Sequence, residues 1–456
     1  ELLEKDGCQA EHLVIEFHGG TRVYVPAARI DLVQKYIGGR KTRPTLARIG
    51  GAAWKNQKQA AQNAVQDMAA ELLELQANRQ ARPGIEFQAD SNWQQEFDAS
   101  FPYEETGDQL AAIEDIKEDM QSRRSMDRLL CGDVGFGKTE VAMRAVFKAI
   151  DSGYQVAMLV PTTILAEQHY HSFKDRMVQF PIKVARLSRF ASTAEQHEVV
   201  RGLRQGSIDI VIGTHRVASK DVQFANLGLV IIDEEQRFGV EIKERLKNVV
   251  NNVDVLTLSA TPIPRTLHMA MVGVRDISNL LVAPEERVSI ETRVVRFQEE
   301  LVRTAIQREL DRNGQVFYVH NRVHDIESVK RRLQRIVPQA RIEIGHGQMK
   351  ESDLEQVMVG FVNHDYDILL ATTIVESGLD IPNANTIFVD DANRYGLSDL
   401  HQLRGRVGRY KHRAYCYMLV DQHKHITPDA ARRLRAIEEY SEMGAGFAIS
   451  MRDLEI

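Results

Sequence analysis

Cysteine is scarce in this 456-residue sequence: there are three, Cys8, Cys131 and Cys416, far apart and with no C-x-x-C pair. Such spacing excludes a disulfide framework and a sequence-evident zinc site, and it fits a reducing cytosol. No apolar run approaches the roughly 18 residues of a membrane span, and no signal peptide is evident, so no membrane span is expected. Positive charge is not in excess either. Against 58 Lys and Arg stand 64 Asp and Glu, a net charge of −6. That argues against a generally polycationic nucleic-acid binder but leaves local basic faces open. The histidine pairs in QHYH (168–171) and HKH (423–425) have no cysteine or acidic cluster to complete a ligand set, and read as helix-surface or loop histidines.

With 43% hydrophobic and 27% charged residues, the chain has the composition of a soluble globular protein. At roughly 150 residues per domain its length suggests about three. The stretch LVIEFHGGTRVYVPAARIDLVQKY (13–36) opens as a β-hairpin: Leu13, Ile15 and Phe17 alternate with polar residues, as do Val23 and Val25. Gly19-Gly20 between the runs can take the positive φ of a tight turn, and Pro26 stops the second strand. In residues 52–84, Ala61, Val65, Met68, Leu72 and Leu75 recur in steps of four and three, one face of a helix that ends at Pro83-Gly84. From about residue 125 the rhythm changes to continuous apolar runs, each following ten or more helical residues: 155–162, 208–215, 227–235 and 253–261. The pattern restarts at 315–321, 340–347, 367–374, 385–392 and 414–421, beyond a Pro-bearing, charged linker at 282–289. Apolar strands alternating with helices mean parallel sheets covered on both faces, hence two α/β domains in tandem.

Three stretches carry chemistry. GDVGFGKT (132–139) fits G-x-x-x-x-G-K-[ST] between an apolar strand and a helix, the context the motif requires. Its glycines, Gly132, Gly135 and Gly137, let backbone N–H groups converge on phosphate oxygens at a helix N-terminus. Lys138 is expected to reach the β- and γ-phosphates of ATP, and Thr139 to hold Mg²⁺. Asp233 and Glu234 end the apolar run LVII, poorly placed for packing but well placed beside a phosphate: Asp233 for the Mg²⁺ shell, Glu234 for deprotonating the attacking water. HQLRGRVGR (401–409) interleaves three arginines with two glycines, which a helix-surface charge run avoids because glycine costs about 1 kcal/mol there. Such arginines, coming from the second α/β domain, would act on a phosphate across a cleft.

In order along the chain, GDVGFGKTE, PTTILAEQH, GTHR, DEEQRFG, SATPIPRT, ATTIVESGLDIPNANT and HQLRGRVGR resemble the motif series of superfamily 2 helicases and translocases. DEEQRFG with SATPIPRTL is similar to the narrower group that holds the RecG proteins and the bacterial transcription-repair coupling factors, over about two-thirds of the chain. The resemblance implies an ATP cleft between two RecA-like domains. It implies Gln109 as the adenine reader, Thr261 as the residue coupling hydrolysis to domain movement, Gly378 and Asp380 as motif V residues facing the cleft, and Gln402, Arg406 and Arg409 as the motif VI set with both arginines as fingers. Thr162, Thr214 and His215 lie along the DNA track on that comparison, or are ordinary strand-end polar residues.

The front end separates the two branches. A RecG-type fork remodeller carries an OB-like wedge there, whereas residues 13–36 resemble the Tudor-like RNA-polymerase-interacting module that the coupling factors share with CarD-type regulators. The expected organisation is a partial Tudor-like module (1–48), a connecting helix (49–88) and RecA-like domains at 89–283 and 284–456. Residues 13–36 are then a hook for bacterial RNA polymerase, with the edge at Arg22–Val25 adding to a partner sheet, or else a structural cap on the motor. The expected activity is an ATP-driven double-stranded DNA translocase that displaces stalled polymerase for excision repair. A silent, polymerase-binding regulator is the non-enzymatic alternative. Against the family pattern, the strand before the hairpin is expected to be missing or very short. The chain stops at MRDLEI, before the arginine-and-glycine translocation motif, and the regions for nucleotide excision repair proteins are expected to lie outside it.

Overall fold

The computed structural model describes residues 2–5, 8–18, 20–26, 83–188, 191–235, 238, 253–260, 275–284, 290–372, 381, 383–408, 413–421, 426–439 and 449. The chain divides into two compact units, Glu1–Asn78 and Arg79–Ile456.

In the first unit, β1 (Leu2–Lys5), β2 (Cys8–Glu16) and β3 (Arg22–Pro26) form an antiparallel sheet in that order. The alternation in the sequence sets its register. Leu13 lies opposite Val25 and Ile15 opposite Val23, so the apolar side chains of the hairpin share one face. Phe17 N–H donates to the Thr21 carbonyl at 2.7 Å, and Gly20 has φ 76°, as the turn requires. The strand before the hairpin is four residues long and pairs with the first half of β2. Among the described residues β3 is an edge strand. The expected connecting helix, with Ala61 to Leu75, lies outside the described residues.

The second unit holds two lobes. The first runs α1 (Asn92–Ala99), α2 (Gly107–Gln121), β4 (Asp127–Gly132), α3 (Lys138–Asp151), β5 (Gln155–Leu159), α4 (Thr163–Arg176), β6 (Val184–Leu187), α5 (Thr193–Gln205), β7 (Ile210–Gly213), β8 (Leu227–Asp233), β9 (Asp254–Ser259) and β10 (Asp276–Leu280). Its seven strands pair in parallel in the order β10-β4-β9-β8-β5-β7-β6. The second lobe runs β11 (Glu291–Arg296), α6 (Glu299–Asp311), β12 (Gln315–Val319), α7 (Ile326–Ile336), β13 (Ile342–Gly345), α8 (Glu351–Val362), β14 (Ile368–Ala371), β15 (Ala384–Val389), α9 (Leu397–Arg404), β16 (Tyr415–Val420) and α10 (Pro428–Glu439). Its six strands are parallel in the order β11-β16-β15-β12-β14-β13.

Both sheets are covered on both faces. Val156 and Met158 of β5 enter one core while Ala157 and Leu159 enter the other, and all four are buried. Each fully buried Val, Leu, Ile or Met of this kind stabilises the lobe by about 1.5–3 kcal/mol. Three strands, β6, β10 and β11, carry no continuous apolar run, and all three are sheet edges. Glu291, Arg293 and Arg296 interrupt the Thr and Val of β11, as a strand flanked by solvent on one side permits.

Parallel strands place all their carboxyl ends on one rim, where α/β sheets bind ligands. The loop after β4 and the acids ending β8 therefore face the same way, with β9 between them. Two strand spacings separate them, about 10 Å.

Candidate nucleotide-binding site

Loop 132–139 joins β4 to α3. Gly135 (φ 83°) and Gly137 (φ 81°) adopt the left-handed backbone that glycine takes without Cβ strain, and Gly137 is the N-cap of a fourteen-residue helix. Lys138 folds back onto its own loop: its ammonium donates to the carbonyls of Gly132 and, at 3.0 Å, Asp133. Gln109, the third residue of α2, is buried against this loop. Its amide nitrogen donates to the Phe136 carbonyl at 2.9 Å, and its oxygen accepts from Thr106 N–H at 3.0 Å in a capping box.

Asp233 ends β8, and its Oδ2 lies 3.1 Å from Nε2 of His169 on α4. Glu234 follows with φ 51°, a conformation costing a non-glycine residue about 1–3 kcal/mol. Its N–H donates to the Leu258 carbonyl at 3.0 Å, which ties the strained residue to β9. Glu235 is held by Arg275, which also bonds Asp127 and Thr257.

A cavity of about 780 Å³ collects Gly135, Gly137, Lys138, Thr139, Asp233 and Glu234 from the first lobe with Arg406 from the second. Val359, Val362 and Asn363 at the end of α8 close its far wall. Gln109, Gly132 and Gln402 do not line this cavity, and Gln402 lies half-buried on α9. Arg409, Gly378, Asp380 and Thr261 lie outside the described residues. Thr162 caps α4 through its side chain, Thr214 is buried, and His215 is exposed.

Sequence reasoning gave Asp133 and His401 no role, read His169 as a helix-surface or loop histidine, and counted Arg404 among three arginines acting on a phosphate. His169 is instead buried against Asp233, and Arg404 is buried with its guanidinium donating to the Ile437 carbonyl of α10. Asp133 Oδ1 lies 3.1 Å from His401 Nε2, a hydrogen bond between the two lobes. Burial alone would push the Asp133 carboxyl up. The bond to His401, with the charges of Lys138 and Arg404, holds it below the usual carboxylate range. The signal available in the sequence was weak: an acid inside a phosphate loop, where small or apolar residues serve equally well.

A glycine loop at a helix N-terminus, two strand-end acids and an arginine from a second parallel-sheet lobe, meeting in one cleft, define a two-lobed RecA-like motor fold. Residues 106–270 match the DEAD/DEAH box helicase family, and residues 297–411 match the helicase conserved C-terminal domain. The chain is 52% identical over its whole length to the transcription-repair-coupling factor of Bacillus subtilis (strain 168), of which it covers 39%. It is 49% identical to that of Staphylococcus aureus (strain USA300), again over all of this chain and 39% of the relative. A solved structure of RecG bound to a three-way DNA junction is 36% identical, covering 85% of this chain and 56% of that one, with a TM-score of 0.71. The DUF1998 helicase MrfA bound to DNA, at 16% identity, 80% and 55% coverage and a TM-score of 0.57, shares the fold. The chain is thus similar over its whole length to transcription-repair-coupling factors, and its two lobes match the two helicase families. It spans about two-fifths of the length of the curated relatives it matches.

Proposed function

We propose that the chain is the ATP-hydrolysing core of a double-stranded DNA translocase that acts on stalled bacterial RNA polymerase, in the cytoplasm. The observation that carries this reading is that Arg406 of the second lobe lines the same cavity as Lys138, Thr139, Asp233 and Glu234 of the first. Phosphoryl transfer needs charge stabilisation from several directions at once, and one cleft supplies it from two lobes.

In this reading Lys138 leaves the Gly132 and Asp133 carbonyls for the β- and γ-phosphates. Glu234 takes the proton of the attacking water, and Arg406 and Arg409 face the transferring phosphoryl group. Gln109 has one amide N–H and one oxygen lone pair engaged; the second of each suits adenine N7 and its amino group. On the family resemblance Gly378, Asp380 and Gln402 would contribute from the second lobe. The donor set fits Mg²⁺: a Thr139 hydroxyl and an Asp233 carboxylate are hard oxygen donors, and no cluster of three His, Cys, Asp or Glu that could hold a metal exists among the described residues. Thr139 and Asp233 would hold the ion together with phosphate oxygens, and the ion supplies charge neutralisation there. The DNA partner is supported by the RecG likeness. The polymerase partner, through residues 13–36, is supported by the likeness to transcription-repair-coupling factors and by β3 standing at an edge among the described residues. Excision-repair proteins would be met by regions outside this chain. No helix of the described residues is long and apolar enough to cross a membrane.

Glu234→Gln should bind fluorescent ATP analogue within about twofold of the parent and lose turnover by on the order of 10²–10⁴, the usual share of a general base. Unchanged turnover refutes the assignment. Tyr24→Asp, at an exposed position of β3, should weaken retention of purified RNA polymerase; equal retention returns the hairpin to the role of a cap.

A further inference from the structure

The two lobes meet in a buried polar line that no motif role accounts for. Asp133 is the second residue of the phosphate loop, and its carboxylate accepts from His401 on α9 at 3.1 Å. The other ring nitrogen, Nδ1, lies 2.9 Å from Nη2 of Arg404. Guanidinium only donates, so Nδ1 is the acceptor, and the neutral ring carries its proton on Nε2, where it donates to Asp133. Arg404 donates in turn to the Ile437 carbonyl of α10 at 3.3 Å. All three side chains are buried.

A second contact runs beside the first. Gly405, directly after α9, faces Val134, the next residue of the loop. A Cβ at Gly405 would stand 3.3 Å from Val134 Cγ2, closer than most side-chain contacts. Asp133 and Val134 together therefore seat the end of α9, and Arg406 is the residue that follows. The same Asp133 touches the lysine, since its carbonyl accepts from the Lys138 ammonium at 3.0 Å. A lysine drawn away to a phosphate removes that bond and moves a positive charge off the Asp133 side of the loop.

We infer that His401 is a positioning residue: its hydrogen bond to Asp133 registers α9 on the phosphate loop, aims Arg406 into the cleft, and couples that aim to where Lys138 sits. The inference rests on the reading of Arg406 as the arginine that meets the transferring phosphoryl group. It differs from a purely structural hydrogen bond in what it moves. A structural bond sets melting temperature; a positioning bond sets turnover at unchanged nucleotide affinity.

Two amides separate the halves of the ring. His401→Asn keeps an acceptor near the Nδ1 position for Arg404 and falls short of Asp133. His401→Gln carries an N–H out to the Nε2 position. With the full chain, duplex DNA and ATP, His401→Asn should lower kcat by on the order of tenfold to a hundredfold, the loss expected for a buried hydrogen bond to a charged group. Its Kd for a fluorescent ADP analogue should stay within about twofold. His401→Gln should recover most of kcat. Asp133→Ala should match His401→Asn, and the double variant should be no worse than either, because both remove one bond. Equal kcat in the two amides, multiplicative losses in the double, or a fall in melting temperature with kcat unchanged each overturn the inference. Glu234→Gln run alongside tells the two readings apart. If it also turns over ATP, the reading of the site fails. If it is inactive while both His401 variants turn over like the parent, the positioning role alone fails.

Discussion

Gly137→Ala tests the junction between the phosphate loop and α2. Gly137 sits at φ 81°, where an alanine pays about 1–2 kcal/mol for its Cβ. The added Cβ would lie 2.4 Å from Nε2 of Gln109, too close to keep. A flexible side chain normally swings clear at little cost, but this amide is buried and tied at both ends, to the Phe136 carbonyl and to Thr106 N–H. Displacing it gives up about 1 kcal/mol per hydrogen bond. The sum is about 3 kcal/mol, which for a lobe of roughly 150–250 residues lowers the melting temperature by about 6–12 °C. Nucleotide affinity should fall with it, since the loop must deform to admit the methyl. Calorimetry and fluorescent-nucleotide titration read the two effects. Gln109→Ala is the control. It removes the obstacle, so Gly137→Ala in its background should cost only the backbone part, a coupling of about 1–2 kcal/mol. A Gly137→Ala chain melting within 1 °C of the parent, or strictly additive effects, would refute the reasoning.

Stability should depend on pH with opposite signs at the two ends. Burial pushes the Asp90 and Asp367 carboxyls up, but Lys117 and Lys148 beside the first and Arg341 beside the second hold them below their ordinary 3.8. A lowered folded pKa means stability present above about pH 4 and lost as pH falls through the folded values. Burial of His320 opposes its charge, but the hydrogen bonds its ring donates to Asp390 and Asp325, each at 2.8 Å, raise it above 6.5. That contribution is complete below pH 6.5 and disappears as pH rises through the folded value. Melting curves from pH 3 to 9 should show both slopes, and His320→Gln should abolish the alkaline one alone; equal slopes in both proteins sink the assignment. Burial pushes the Cys131 and Cys416 thiols up to about 12. A disulfide reagent at pH 8 should therefore find at most one fast thiol in the folded chain, and two or three fast thiols would contradict the burial.

What could be read from the sequence divides along the physics of the sheets. Strands such as β5, β8 and β12 are covered on both faces, so their apolar runs are unbroken and unmistakable. An edge strand needs fewer apolar residues because solvent takes part of its surface, and β6, β10 and β11 therefore offer no unbroken apolar run to read. The expected cleft was legible in the same way, where local chain geometry sets it. A glycine loop between strand and helix, and two acids where an apolar run stops, are facts about adjacent residues.

The His401 relay has no such local signature. Asp133 and His401 are 268 positions apart, and neither is an unusual residue for its surroundings. His169 and Asp233, 64 apart, pose the same problem on a smaller scale. In both pairs a histidine nitrogen meets a carboxylate at 3.1 Å only because one element is docked on another. The arginine is different in kind: interleaved glycines mark its segment and the family resemblance singles out Arg406 within it, while nothing marks the residue that would aim it. A motif therefore names the groups that touch phosphate and is silent on the groups that aim them. The silent ones lie where the lobes meet, since an arginine delivered across a cleft is only as well placed as the seam that carries it. Asp133, on the loop that holds the phosphate, and His401, on the helix that leads to the arginine, are that seam.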